Sequence, residues 1–141
     1  MTDAEKLRGL TEQWLSRARE TAAAAERLVE GGFYRDSIGR SYYAMFYAVS
    51  ALLELRGAGT SKHRGALSFF DREFVRTGIF PKQMSAWLHS AFDARQLADY
   101  NPQAVVTAEL GRTMLERASS FLDAVESALP GLLSDVDSAR L

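Results

Sequence analysis

The chain has 141 residues, room for one domain, and its 47 % hydrophobic and 25 % charged residues are ordinary for a globular protein. A net charge of −1 gives no global basic field, so nucleic-acid binding would need a local patch. The absence of cysteine excludes disulfides and thiolate metal sites, and two histidines without an acidic cluster at ligand spacing argue against a built-in metal; no cofactor is expected. The charged N-terminus lacks the apolar core of a signal peptide, and no run approaches the ~18 apolar residues of a membrane span. A cytoplasmic protein is the expectation.

Thr2 or Asp3 is placed to cap a first helix, with Glu5 adding negative charge to its first turn. Leu7, Leu10, Trp14, Ala18, Ala22, Ala25 and Val29 then repeat at helical spacing. Gly31-Gly32 ends this helix; no lysine or further glycine follows at P-loop spacing, so the pair reads as a C-cap. The next helix is the centre of the chain. Ile38, Tyr42, Met45, Val49 and Leu52 form one stripe, and Tyr43, Phe46, Ser50 and Leu53 a second beside it. A helix apolar over so much of its circumference is buried on several sides. Gly39, Ala44, Ala48 and Ala51 let neighbouring helices come close.

Gly57 to Ser61 is a turn-forming segment, with Ser61 as N-cap of a short third helix. Leu67, Phe70 and Phe74 face inward there, and Thr77-Gly78 stops it. Pro81 suits the first turn of a fourth helix, whose stripe is Met84, Leu88, Ala91, Arg95 and Ala98, with Trp87 and Phe92 alongside. Asn101-Pro102 repeats the cap-plus-first-turn signal and opens a fifth helix with the face Val106, Leu110, Met114, Ala118, Phe121, Val125 and Leu129. Pro130-Gly131 reads as its end, which divides the chain into a helical bundle over 1–129 and a mobile tail over 130–141. With no strand pattern, the fold class is all-α: an up-and-down bundle of four to five helices.

Arg95 breaks the pattern, standing on a core-facing stripe where leucine would be expected. A guanidinium there must be paired, lie at an interface or line a cleft. Asp99, one turn on, is its natural structural partner. Arg40 and Tyr43 share a face of the central helix with Asp36, while Lys62 and His63 follow the turn. The dipole at a helix N-terminus would disfavour the imidazolium of His63, although an exposed loop histidine is the simpler reading. His89 reads as a surface or boundary residue. Tyr34, Tyr42, Tyr43 and Tyr47 read as core with hydroxyls at the rim more readily than as base-stacking platforms.

The run Arg40-Ser-Tyr-Tyr-Ala-Met-Phe-Tyr-Ala48, then Ser61-Lys-His63, Phe70 and Phe74, and Arg95-Gln-Leu-Ala-Asp-Tyr100 together resemble the small prokaryotic HEPN-domain proteins. The resemblance extends from about Leu7 to Leu129 in the same helix order. It implies a homodimer whose fourth helices meet across a cleft, and partnership with a nucleotidyltransferase antitoxin. Many such proteins are toxins or metal-independent ribonucleases, with an arginine followed four to six residues later by a histidine. Here Arg95 fits the arginine, but five residues on stands Tyr100, and no histidine lies between Arg95 and Pro102. Tyrosine, with pKa ~10, is a poor general base at neutral pH but can donate a proton.

The leading expectation is therefore a HEPN-type nucleotide- or RNA-binding dimer, with Arg95, Asp99, Tyr100, Arg40, Tyr43 and Lys62 as binding residues. A non-catalytic helical adaptor, with Arg95–Asp99 as a dimer salt bridge, is the alternative. A metal-independent endoribonuclease using Arg95, Tyr100 and His63 is the third.

Overall fold

The computed structural model describes residues 1–58 and 62–139, and among these every regular element is helical. Helix α1 spans Asp3–Glu30, α2 Tyr34–Leu55, α3 His63–Phe70, α4 Lys82–Tyr100 and α5 Ala108–Ala139, with a π-helical turn, Asp71–Val75, prolonging α3. The all-α bundle expected from the periodicity is what forms.

Each boundary has a local cause. The Thr2 hydroxyl accepts the Glu5 N–H at 3.1 Å and caps α1. At its other end Gly32 adopts φ +81°, a conformation that side chains disfavour, and the chain reverses into α2. Lys62 holds the N-cap position of α3 without a side-chain cap; Ser61, expected in that role, lies outside the described residues. Pro81 precedes the first helical residue of α4 and so acts as its N-cap, one place earlier than expected.

Helix α2 is the axis of the bundle. Ile38, Tyr42, Met45, Val49 and Leu52 are all fully buried, and α2 packs against α1, α3, α4 and α5. Gly111 of α5 lies so near it that a Cβ there would meet Ser37 Oγ and the Tyr34 ring at 3.2 Å. Arg19 ties α1 to α5 through Glu126, with Nε 2.6 Å from Oε1, and through Asp123 at 2.5 Å.

The structure corrects the sequence expectation in three places. On α1 the inward face in the first turns is Leu7, Thr11 and Leu15, whereas Leu10 is 42 % exposed. Thr11 can be buried because its hydroxyl donates to the Arg8 carbonyl at 2.8 Å. Helix α5 begins at Ala108, not at Asn101-Pro102, with the Thr107 hydroxyl accepting the Leu110 N–H at 3.1 Å. Asn101 instead folds a local turn, its side-chain oxygen accepting the Gln103 N–H at 3.0 Å.

At its far end α5 does not stop at Pro130-Gly131 but runs through Pro130 to Ala139, burying Leu132 and Leu133 in the same core. A proline inside a helix costs roughly 3 kcal/mol. Burying two leucines, each about 1.5–3 kcal/mol, is enough to offset it.

Candidate functional site

The site is assembled on the face of α2 that carries Arg40, Tyr43 and Tyr47, residues three and four apart and therefore in line. Helix α3 brings His63 to this face and α4 brings Arg95. The Tyr43 ring is the meeting point, with the Arg40 guanidinium carbon 5.0 Å and the Arg95 guanidinium carbon 5.3 Å from its centroid. Cations over an aromatic face are held by the ring quadrupole.

Arg95 is largely buried, its side chain 15 % exposed. Its Nε lies 2.9 Å from Asp99 Oδ2, yet the N–H is not aimed at the carboxylate, and Nε makes no hydrogen bond. Among the described residues only Ser41 Oγ shares that condition of a buried side-chain polar atom without a partner. Asp99 is 42 % exposed, so the pair is solvent-screened and contributes little to stability.

His63 is half-buried, contrary to the exposed loop position that its place in the sequence suggests. Its ring packs at 4.4 Å from Phe46, 5.5 Å from Tyr42, 5.6 Å from Tyr43 and 6.5 Å from Phe92, centroid to centroid. Nδ1 sits 2.6 Å from the hydroxyl of Tyr42. Burial first, and the nearby positive charge of Arg95 second, hold the imidazole below its usual pKa. Burial likewise drives the Tyr42 phenol well above its ordinary range. Both groups are therefore neutral near pH 7. When Tyr42 donates, Nε2 carries the proton and is a donor; when Tyr42 accepts from Nδ1–H, Nε2 keeps its lone pair and is a base.

A family model of the HEPN domain matches residues 11–128. The chain belongs to the HEPN-domain family. It is 36 % identical over 132 residues to a "UPF0332 protein" of Thermotoga maritima, covering 94 % of this chain and 98 % of that one. Two proteins of Methanocaldococcus jannaschii are also similar. "Putative toxin MJ0142" is 30 % identical, covering 84 % of this chain and 80 % of its own. "Putative toxin MJ0605" is 31 % identical, covering 82 % and 86 %.

Within this HEPN domain the expected site residues divide. Arg95, Asp99, Arg40, Tyr43 and His63 come together around the Tyr43 ring, and Lys62 stands exposed beside His63. Tyr100 does not join them. Five residues at 100° each carry it about 140° around α4 from Arg95, and it is 72 % exposed.

Two residues outside the expected site set belong to the site's support. Tyr42, expected in the core with its hydroxyl at the rim, supplies the partner of His63. Arg35 donates from Nη1 to the carbonyls of Ala98, at 2.6 Å, and Asn101, at 3.3 Å, and from Nη2 to that of Ala104. It thereby fixes the C-terminal end of α4, which carries Arg95 and Asp99. Neither contact has a local signal, since the partners lie 21 and 63–69 residues away.

Among the described residues no three His, Asp or Glu side chains are grouped closely enough to hold a metal ion, and no helix is long and apolar enough to cross a membrane.

Proposed function

We propose that this HEPN protein binds RNA or a nucleotide through Arg95 and acts in the cytoplasm as a homodimer paired with a nucleotidyltransferase antitoxin. The observation that carries the reading is the placing of Arg40 and Arg95 on one tyrosine ring beside a neutral histidine. The terminal N–H donors of two guanidinium groups suit phosphate oxygens, which they can take bidentately. The toxin names of the two archaeal relatives agree with a protein held in check by a partner. Leu97 and Tyr100, one turn apart on α4 and 54 % and 72 % exposed, offer apolar surface for the α4-to-α4 contact of a dimer.

A second reading, a metal-independent endoribonuclease, draws on the neutral His63–Tyr42 pair within the same cluster. In it Arg95 would hold the scissile phosphate, and His63 would take the proton of the attacking 2′-hydroxyl, the role that Tyr100 cannot fill as a base.

The test is RNA cleavage in EDTA alongside RNA and nucleotide affinity, wild type against Arg95→Ala, with folding and oligomeric state matched. Losing a charged hydrogen-bond donor should weaken binding about tenfold or more. Any cleavage should fall by roughly 10²–10³. Unchanged affinity in the variant, with loss of dimerisation instead, would make Arg95–Asp99 an interface salt bridge and the protein an adaptor.

A further inference from the structure

A further cation, Arg17, lies beside the Arg95 cluster, in the groove between α1 and α2. The groove encloses about 580 Å³ and is lined by Gln13, Ser16, Arg17, Glu20, Arg40 and Tyr47, among others. That is within the ~300–1,000 Å³ of small-ligand sites. Arg17 reaches across from α1, its guanidinium carbon 4.7 Å above the Tyr47 centroid and its Nη2 donating to the Tyr47 hydroxyl at 3.4 Å. Trp14 stacks on Tyr47 at 5.8 Å, and Tyr47 in turn lies 5.9 Å from Tyr43. Arg40 lines the groove and also stands over Tyr43, whose ring Arg95 shares. Arg17, Arg40 and Arg95 therefore follow one another along a continuous row of aromatic rings.

The way these arginines are held matters. A guanidinium resting on a ring uses its face and leaves N–H donors at its edge, of which Arg17 gives one to the Tyr47 hydroxyl. Arg19, Arg72 and Arg95 each lie against a carboxylate, but among the described residues neither Arg17 nor Arg40 does. The rings fix these two cations in position without neutralising them. Spaced, unneutralised cations interleaved with aromatic surface are what a single-stranded nucleic acid requires, the cations for its phosphates and the planar groups for its bases. Glu20 is the one carboxylate lining the groove and acts against phosphate there.

We infer that the α1–α2 groove is a further nucleotide subsite, through which a single-stranded RNA held at Arg95 continues, with Arg40 between the two positions and Arg17 on the next phosphate along. The inference rests on the RNA-binding reading and extends it to the length of strand engaged. It makes Arg17, far from Arg95 in the chain, a determinant of how affinity grows with RNA length.

The experiment is an anisotropy titration of random-sequence single-stranded RNA, from dinucleotides to longer strands, over a series of salt concentrations. Wild type is compared with Arg17→Ala, Glu20→Gln and Arg95→Ala, each checked for helical content. Arg17→Ala should weaken long-strand binding about tenfold, with a loss that grows with strand length. It should also reduce the slope of log K against log salt by about 0.7, the contribution of one phosphate on a single strand. Glu20→Gln should move affinity upward, a change that damaged folding cannot produce. Arg17→Ala with wild-type affinity and salt slope, while Arg95→Ala is weakened, would overturn the groove and leave the Arg95 site standing. Wild-type protein that binds none of the RNA would overturn both.

Discussion

At the scale of single residues, Tyr42 and His63 set which protons the site can offer. Their 2.6 Å contact is made between a buried phenol and a half-buried imidazole, each pushed towards its neutral form by loss of water. The consequence for stability has a definite sign. With its folded pKa lowered, His63 takes up a proton in the unfolded chain, near the ordinary ~6.5, before it does so in the folded one. Stability contributed by the neutral histidine is then complete above that value and declines as pH falls through it towards the folded pKa. In urea titrations between about pH 5 and 7.5, wild type should lose stability towards acid more steeply than His63→Gln. Equal slopes in the two proteins would mean that burial does not disfavour the imidazolium. Part of this is legible in the sequence: the dipole at a helix start disfavours the imidazolium, although an exposed loop histidine is the simpler reading there. The larger cause is the aromatic shell of Tyr42, Tyr43, Phe46 and Phe92, which forms only when α2, α3 and α4 meet.

At the scale of elements, the periodic faces were legible and the joints between them were not. The stripe Met84, Leu88, Ala91, Arg95 and Ala98 could be read directly, because burial of a helix face repeats every three or four residues. The segment after Tyr100 reads as helix in the sequence because Asn101-Pro102 carries a local helix-start pattern, yet α5 begins only at Ala108. What overrides it is Arg35, reaching from the start of α2 to the carbonyls of Ala98, Asn101 and Ala104 and holding 101–107 in a non-helical path. No window of sequence around Asn101 contains that information. Removing the guanidinium should release the segment: Arg35→Ala is expected to cost about 1–2 kcal/mol. It should also speed hydrogen exchange at residues 101–107 and at the last turn of α4, with little change in the middle of α1. Protection there equal to the wild type would show that packing of α4 and α5, and not Arg35, fixes the joint.

At the scale of the whole molecule, the bundle is organised around α2, and every other helix contributes a face to it. That arrangement explains why α5 does not stop where its proline suggests. A helix end is decided by the balance between local backbone cost and the core that lies beyond, and beyond Pro130 stand Leu132 and Leu133, each 7 % exposed. Sequence periodicity alone cannot weigh the two, because it does not show what core lies within reach of Leu132 and Leu133. The balance can be measured. Leu133→Ala should lower the unfolding free energy by about 2–3 kcal/mol, the cost of a truncated core leucine at a site that partly relaxes. The urea midpoint should fall while the slope of the transition stays constant, because the same surface is exposed when one cooperative unit melts. Were the turns after Pro130 frayed in solution, the variant would unfold at the wild-type midpoint. A destabilised variant with an unchanged slope instead makes the segment after Pro130 part of the bundle that holds Arg95, Tyr43 and His63 together.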